Sequence, residues 1–204
     1  ELRTPIATII GAVDVLKENQ NKISKENEIV LLHEIDLASL RLNRQVENLL
    51  NMSRLETGML QPKKDWCDTI DLINTVIQKI DSLNQYHSID FKIKENLPFM
   101  WLDTGLMEEI LRNLIYNALL YTPQKSIITI DVSYQSKQCI IIVADNGNGF
   151  PESEIPLIFD KFYRVPNSKT GGSGLGLSIV KGFVEAHNGT ILLKNNPTGG
   201  ALFT

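Results

Sequence analysis

The run GGSGLGLSIV at 171–180 decides how this chain is read, taken together with DNGNGF at 145–150. Glycine stands at 171, 172, 174 and 176, and an apolar pattern of helical spacing follows. Glycine admits positive φ and lets a ligand come close to the main chain. A glycine-rich turn feeding a helix N-terminus presents N–H groups and the positive end of the helix dipole, which suits a phosphate. A glycine cluster by itself is most often a flexible surface turn, so the surrounding residues must decide.

Two neighbouring features carry chemistry. On the helix expected over 103–121, Asn113 and Asn117 are four apart and share a face. Asparagine weakens a helix, so the pair needs a reason. Spacing alone favours mutual hydrogen bonding or capping; the other reason is oxygen ligation of Mg²⁺, which takes its remaining ligands from water and nucleotide phosphates. Asp145 ends an apolar strand and opens DNGNGF. Its carboxylate, followed by Gly147 and Gly149, can accept from a buried donor such as an exocyclic amine, or it can cap its own loop as an Asx turn.

Composition excludes several classes. The 204 residues are 43% hydrophobic and 22% charged, with a net charge of -4, as in a soluble globular protein. Nothing argues electrostatically for nucleic acid or an anionic membrane. Cys67 and Cys139 form no disulfide framework or metal motif and are expected to be reduced thiols in a cytoplasmic protein. No apolar run approaches the ~18 residues of a membrane span, and no signal peptide is visible. The chain opens in a helical pattern and stops in a strand pattern. It is expected to be an excerpt whose flanks hold membrane or sensory parts.

In order, residues 1–18 space Ile6, Ile9, Ile10, Val13 and Leu16 as a helix, with Pro5 near its start. A polar break at 19–24 ends in Ser24, a candidate cap. Residues 25–56 form a long helix with a stripe of Leu32, Ile35, Ser39, Leu42, Val46 and Leu49, widened by Leu31, Ala38 and Leu55. A pattern of that length asks for bundle packing. Two copies of the hairpin in a four-helix bundle satisfy it, so a homodimer is expected; the alternative is docking of the hairpin onto the rest of its own chain. Gly58 and Pro62 end this part. There follow a brief extended stretch and helix over 65–83, a strand at 87–94, the helix at 103–121, and strands at 126–135 and 139–145. The last of these is apolar almost throughout and therefore central. A short helix or loop at 156–164 carries Phe159 and Phe162, and small residues at 168–173 should be mobile. A helix over 177–187 ends at Asn188–Gly189, and a hairpin turns about 195–200. The fold class expected is α+β: an antiparallel helical hairpin over 1–61, then an α/β sandwich over 62–204 with one mixed sheet and helices on one face.

NLIYNALLYTP, DNGNGF, IFDKFYR, GGSGLGLSIVKGFVEAHNGTI and NPTGGALF occur in that order. They resemble the N, G1, F, G2 and G3 boxes of the sensor histidine kinases of two-component systems. ELRTP at 1–5 resembles the H box of the dimerisation and phosphotransfer helix, and LLNMSRLETG at 49–58 the end of that hairpin. KKDW at 63–66 and the PTGGALF ending resemble the KdpD-type potassium sensors. The resemblance covers nearly the whole chain and implies a protein-histidine kinase that binds ATP and Mg²⁺. By it, Asp145 takes the adenine amino group, with Gly147 and Gly149 shaping the pocket. Asn117 ligates Mg²⁺, assisted by Asn113, and Tyr121 lies near phosphates or ribose. Lys161 and Arg164 reach the nucleotide from a mobile lid, and Gly172, Gly174, Leu175 and Gly176 cover the phosphates. Glu1 resembles the general base for the imidazole, and Thr4 the residue that positions water for dephosphorylating a partner regulator.

Two departures stand out. The acceptor histidine belongs immediately before Glu1; none of His33, His87 and His187 has the required neighbours, and His187 near a helix end reads as a cation suited to the dipole. Leu120 stands where the family has Lys or Arg and cannot neutralise phosphate, unless Lys161 and Arg164 compensate. The function expected is phosphoryl transfer from ATP to a histidine and then to a response-regulator aspartate, in the cytoplasmic portion of a membrane-anchored bacterial sensor. The alternatives are a pseudokinase scaffold or phosphatase for a regulator, kept alive by Leu120, and another ATPase of the gyrase, chaperone or mismatch-repair nucleotide fold.

Overall fold

The structure, a computed structural model, describes residues 2–18, 23–81, 86–93, 97–166, 168 and 172–204. Helix α1 (Arg3–Glu18) and helix α2 (Lys25–Glu56) form the hairpin. Ser24 caps α2, its Oγ accepting from the Asn27 N–H at 3.3 Å, and Glu26 and Glu28 in the first turn and Arg54 in the last suit the dipole. Gly58 at φ 64° follows its end. At about 1.5 Å per residue, α1 with 16 residues can cover only half of α2 with 32. Ala12 and Ala38 are buried between them, while Ile6, Ile10, Ile29, Leu32, Val46 and Leu49 stay 42–62% exposed. Of the stripe expected to meet a second copy, Leu32, Ser39, Val46 and Leu49 are thus open in the single chain, while Ala38 is buried and Leu55 packs on the core. Docking onto the same chain also occurs: Met52 and Leu55 at the far end of α2 pack into the core of the second part.

That second part begins with β1 (Asp65–Cys67), paired antiparallel with β3 (Met100–Leu102), where Trp66 and Trp101 meet edge-on at 5.4 Å. The sequence pattern does not predict β3. The remaining elements are α3 (Thr69–Asp81), β2 (Ser88–Ile93), α4 (Thr104–Tyr121), β4 (Ile127–Gln135), β5 (Gln138–Asp145), α5 (Gly176–Ala186), β6 (Leu193–Asn195) and β7 (Ala201–Phe203). The main sheet runs β2-β4-β5-β7-β6, parallel at β2–β4 and antiparallel elsewhere. It is mixed, with β5 central. Ile128, Ile130 and Val132 of β4 are fully buried and share one core with Ile73 and Val76 of α3, Leu111 and Ile115 of α4, and Ile179 and Phe183 of α5. In β5 only Val143 is fully buried, because the helices cover one face and its alternate residues Ile140 and Ile142 point to the other.

Asp103 organises the start of α4. Its Oδ1 accepts from the Leu106 N–H at 3.0 Å and its Oδ2 from the Lys63 N–H at 2.6 Å. The His187 ring is an acceptor here, not a cation. Its Nε2 takes the Asp103 N–H at 3.0 Å, and its Nδ1 donates to the Phe183 carbonyl at 2.8 Å. That arrangement requires the neutral tautomer and ties the end of α5 to the start of α4.

Candidate functional site

A cavity of about 390 Å³ opens between α4, the loop after β5, the start of α5 and α2. Its walls are Tyr116, Asn117, Leu120 and Tyr121 of α4; Asp145, Asn148, Gly149 and Phe150; Tyr163, Arg164 and Val165; Gly172, Ser173, Gly174, Gly176 and Leu177; and Arg41, Arg44, Gln45 and Asn48 of α2. Among the described residues, three arginines and a single carboxylate line it. Such a balance suits a polyanion with a hydrogen-bond donor at one end.

Asp145 is the carboxylate. Its Oδ1 accepts from the Gly147 N–H at 2.8 Å and the Ala201 N–H at 3.2 Å, so the Asx turn open from sequence exists. Among the described residues no donor reaches Oδ2, which leaves that oxygen for a ligand amine. Behind it, Gly200 sits at φ 93°, and a Cβ there would lie 1.9 Å from the Asp145 carbonyl oxygen. The loop is held from the other side by Asn195. Its Oδ1 accepts from the Phe150 N–H at 2.8 Å, while its Nδ2 donates to the Phe150 carbonyl at 2.7 Å and to Glu152 at 2.9 Å. We expect Asn195→Ala to cost about 1–3 kcal/mol by leaving those groups unpaired; chemical denaturation checks it.

At the opposite end, α5 starts at Gly176, and Leu175 before it gives no side-chain cap. The N–H groups of its first turn are therefore left for an anion, and Gly176 and Leu177 border the cavity there. Gly174, at φ 67°, packs so tightly on the 162–163 turn that a Cβ would lie 2.6 Å from the Phe162 carbonyl carbon. Phe162 itself is 66% exposed at φ 63°. The anchors of that segment are Ile158, which is buried, and Phe159, edge-on to Phe203 at 6.5 Å.

Of the residues expected to bind, Asn117, Tyr121, Asp145, Gly149, Arg164, Gly172, Gly174 and Gly176 line the cavity. Asn113, Gly147, Lys161 and Leu175 do not. Asn113 is buried, donating from Nδ2 to the Glu109 carbonyl at 2.9 Å and side chain at 3.0 Å. Gly147 is packed on Thr122, and Leu175 lies in the core. Lys161 is turned to Glu56 of α2, at 2.7 Å. Thr4 is exposed on α1, away from the cavity. Glu1 and, from the expected lid, residues 169–171 lie outside the described residues. Leu120 borders the cavity and brings no charge.

The α2 wall is what sequence reasoning missed. Arg41, Arg44, Gln45 and Asn48 recur at helical spacing, a polar stripe beside the apolar ones, which was the available signal. The Arg44 guanidinium donates to Asn113 Oδ1 at 3.3 Å and lies 3.7 Å over the Tyr116 ring. Burial pushes its pKa down. Next to it, Arg112 is held by Glu47 at 3.1 Å and by Glu109. Burial acts against that charge too, but the Glu109 and Glu47 carboxylates outweigh it and the net shift is upward.

Residues 102–204 match the family model described as Histidine kinase-, DNA gyrase B-, and HSP90-like ATPase, and residues 1–58 match the His Kinase A (phospho-acceptor) domain. The sensor protein KdpD of Clostridium acetobutylicum is 33% identical over 207 residues, covering 100% of this chain and 23% of its own length. The chain therefore spans about a quarter of that relative. Full-length ShkA solved in complex with AMPPNP superposes with a TM-score of 0.73 at 23% identity, over 98% of this chain and 42% of that one. Histidine kinase ThkA in complex with the response regulator protein TrrA superposes with a TM-score of 0.69 at 22% identity, over 100% and 57%. At those identities the likeness is one of fold.

Proposed function

The chain belongs to the sensor histidine kinases of two-component systems, and from that premise we propose that its cavity binds ATP with Mg²⁺ for phosphoryl transfer to a histidine and then to a response-regulator aspartate. Residues 1–61 are the dimerisation and phosphotransfer hairpin and 62–204 the catalytic ATP-binding domain. One observation carries the reading: a single cavity has a carboxylate oxygen open at one end and an uncapped helix N-terminus with arginines around it. Asp145 Oδ2 takes the adenine amine, and the phosphates lie toward Gly172, Gly174 and Gly176 and the first turn of α5. Phosphoryl transfer asks for positioning and charge neutralisation more than for covalent chemistry from the protein, and this donor set offers both.

The metal fits in a limited way. Asn117 presents a hard carboxamide oxygen to the cavity, whereas Asn113 already engages Arg44. Among the described residues no cluster of three His, Cys, Asp or Glu side chains can hold a cation. Asn117 would hold the metal, with phosphates and water completing the shell; when bound, it supplies charge neutralisation at the phosphates. A homodimer through the exposed hairpin stripe follows the same reading. So does docking of a regulator, which the ThkA–TrrA complex makes a natural partner. No helix of the described residues is long and apolar enough to cross a bilayer.

Leu120 at the cavity wall favours one second reading, a scaffold or phosphatase without transfer activity. Calorimetric titration with ATP, with and without Mg²⁺, separates the two. The kinase reading expects saturable binding strengthened by Mg²⁺, with Asn117→Ala abolishing the strengthening. Absence of saturable binding would leave the scaffold.

A further inference from the structure

Arg44 is a half-buried cation with no ion-pair partner among the described residues, the Glu109 carboxylate acting on it only from a distance. Its partners are the neutral Asn113 oxygen and the Tyr116 ring. Arg112, its neighbour, has two carboxylates. Partial desolvation makes an unpaired charge costly, so the contrast needs a cause. Arg44 also borders the cavity, as Asn117 and Leu120 of α4 do. Stacking on Tyr116 fixes the guanidinium plane and leaves N–H groups at its edge.

The α2 wall is built, not incidental. The Arg112–Glu47 pair joins α2 to α4, and Leu55 fills the space over Gly182, where a Cβ would come within 2.7 Å of it. Beside Arg44, Asn48 is only 5% exposed, and among the described residues neither its Oδ1 nor the buried Gln45 Oε1 has a hydrogen-bond partner. Both side chains border the cavity. This helix face therefore brings to the cavity wall a cation with no ion-pair partner among the described residues, backed by two amide side chains whose oxygens are buried, and such a wall matches an anion. The phosphates of a nucleotide have that chemistry.

We propose that Arg44, from the hairpin, binds the phosphate chain of the nucleotide and supplies the charge that Leu120 does not. This rests on the ATP reading above and adds a residue from the other domain to that site. Nucleotide affinity is then coupled to the seating of α2 on α4, since the cation leaves the cavity if the two separate.

The test is calorimetry on this whole chain with ATP and with adenosine, for the wild type, Arg44→Gln and Arg44→Lys. Loss of a charge-assisted phosphate contact is expected to weaken ATP at least about tenfold in Arg44→Gln. Adenosine should change less than about twofold, and Arg44→Lys should keep part of the ATP affinity. Equal losses for ATP and adenosine would mean a purely structural role and overturn the proposal. ATP affinity unchanged or raised in Arg44→Gln would also overturn it, the latter showing a latch that competes with the nucleotide. If wild type binds neither ligand, the ATP reading itself fails; the proposal alone fails only when wild type binds and the variants do not discriminate.

Discussion

Asp145→Asn is expected to weaken ATP binding on the order of 10- to 100-fold while leaving GTP much less affected. The Asx turn survives the change, because an asparagine Oδ1 can still accept from the Gly147 and Ala201 N–H groups as Asp145 Oδ1 does now. What changes is the other atom. Oδ2, open to the cavity, becomes an NH₂ group, so a charge-assisted acceptor for the adenine amine becomes a second donor facing it. Loss of a hydrogen bond to a charged group plus an unpaired donor is worth about 1.5–3 kcal/mol, hence the expected range. Guanine presents a carbonyl where adenine presents its amine, and the new NH₂ can donate to it. Parallel titrations with the two nucleotides decide the matter: equal losses would remove Asp145 from adenine recognition. Loss of the native melting transition would mean that the loop itself depends on the charge.

Much of this site is legible in the sequence because its parts are local. The glycines at 172, 174 and 176 lie directly before an apolar helical pattern, and the loop and helix they predict are where they should be. Asp145 ends β5 because the apolar run stops there. The helix expected over 103–121 is present as α4, with Asp103 its cap and not its first residue. What stayed hidden depends on contacts between distant parts. Nothing local to Arg44 says that it faces Asn113, 69 residues later, and a polar stripe on a long helix reads as solvated. The motif places Lys161 on a lid against the nucleotide, yet an exposed glutamate 105 residues away holds it. The strand β3 is three residues long, too short for any alternation to register, and exists through pairing with β1. Asn195 looked like the start of a turn; its role as a clamp on Phe150 needs β6 and the loop after β5 side by side.

Gly200→Ala should be the most damaging small substitution near the cavity, and its neighbour shows why. Gly199 and Gly200 both sit at positive φ, 101° and 93°. Alanine at either position meets backbone strain of about 1–3 kcal/mol. Only at 200 does the added carbon collide: it would lie 1.9 Å from the Asp145 carbonyl oxygen, whereas at 199 the nearest atom is the Gly147 carbonyl oxygen at 3.5 Å. The collision has no flexible side chain to absorb it, since its partner is main chain at the end of the central strand. Relief requires moving β7 off β5 where Ala144 faces Leu202, and that also breaks the Ala201 N–H bond to Asp145. Overpacking of this kind adds about 1–3 kcal/mol. Gly200→Ala should therefore lose about 3 kcal/mol or more, roughly 6–12 °C in Tm, together with ATP binding, because the displaced group is the carboxylate's own residue. Gly199→Ala should lose only the strain and keep its ATP affinity within a few-fold. Thermal melts and nucleotide titrations on the pair read the difference directly. Equal effects at the two positions would mean that glycine at 200 serves the turn alone, and that the seating of β7 against Asp145 does not set the geometry of the adenine end.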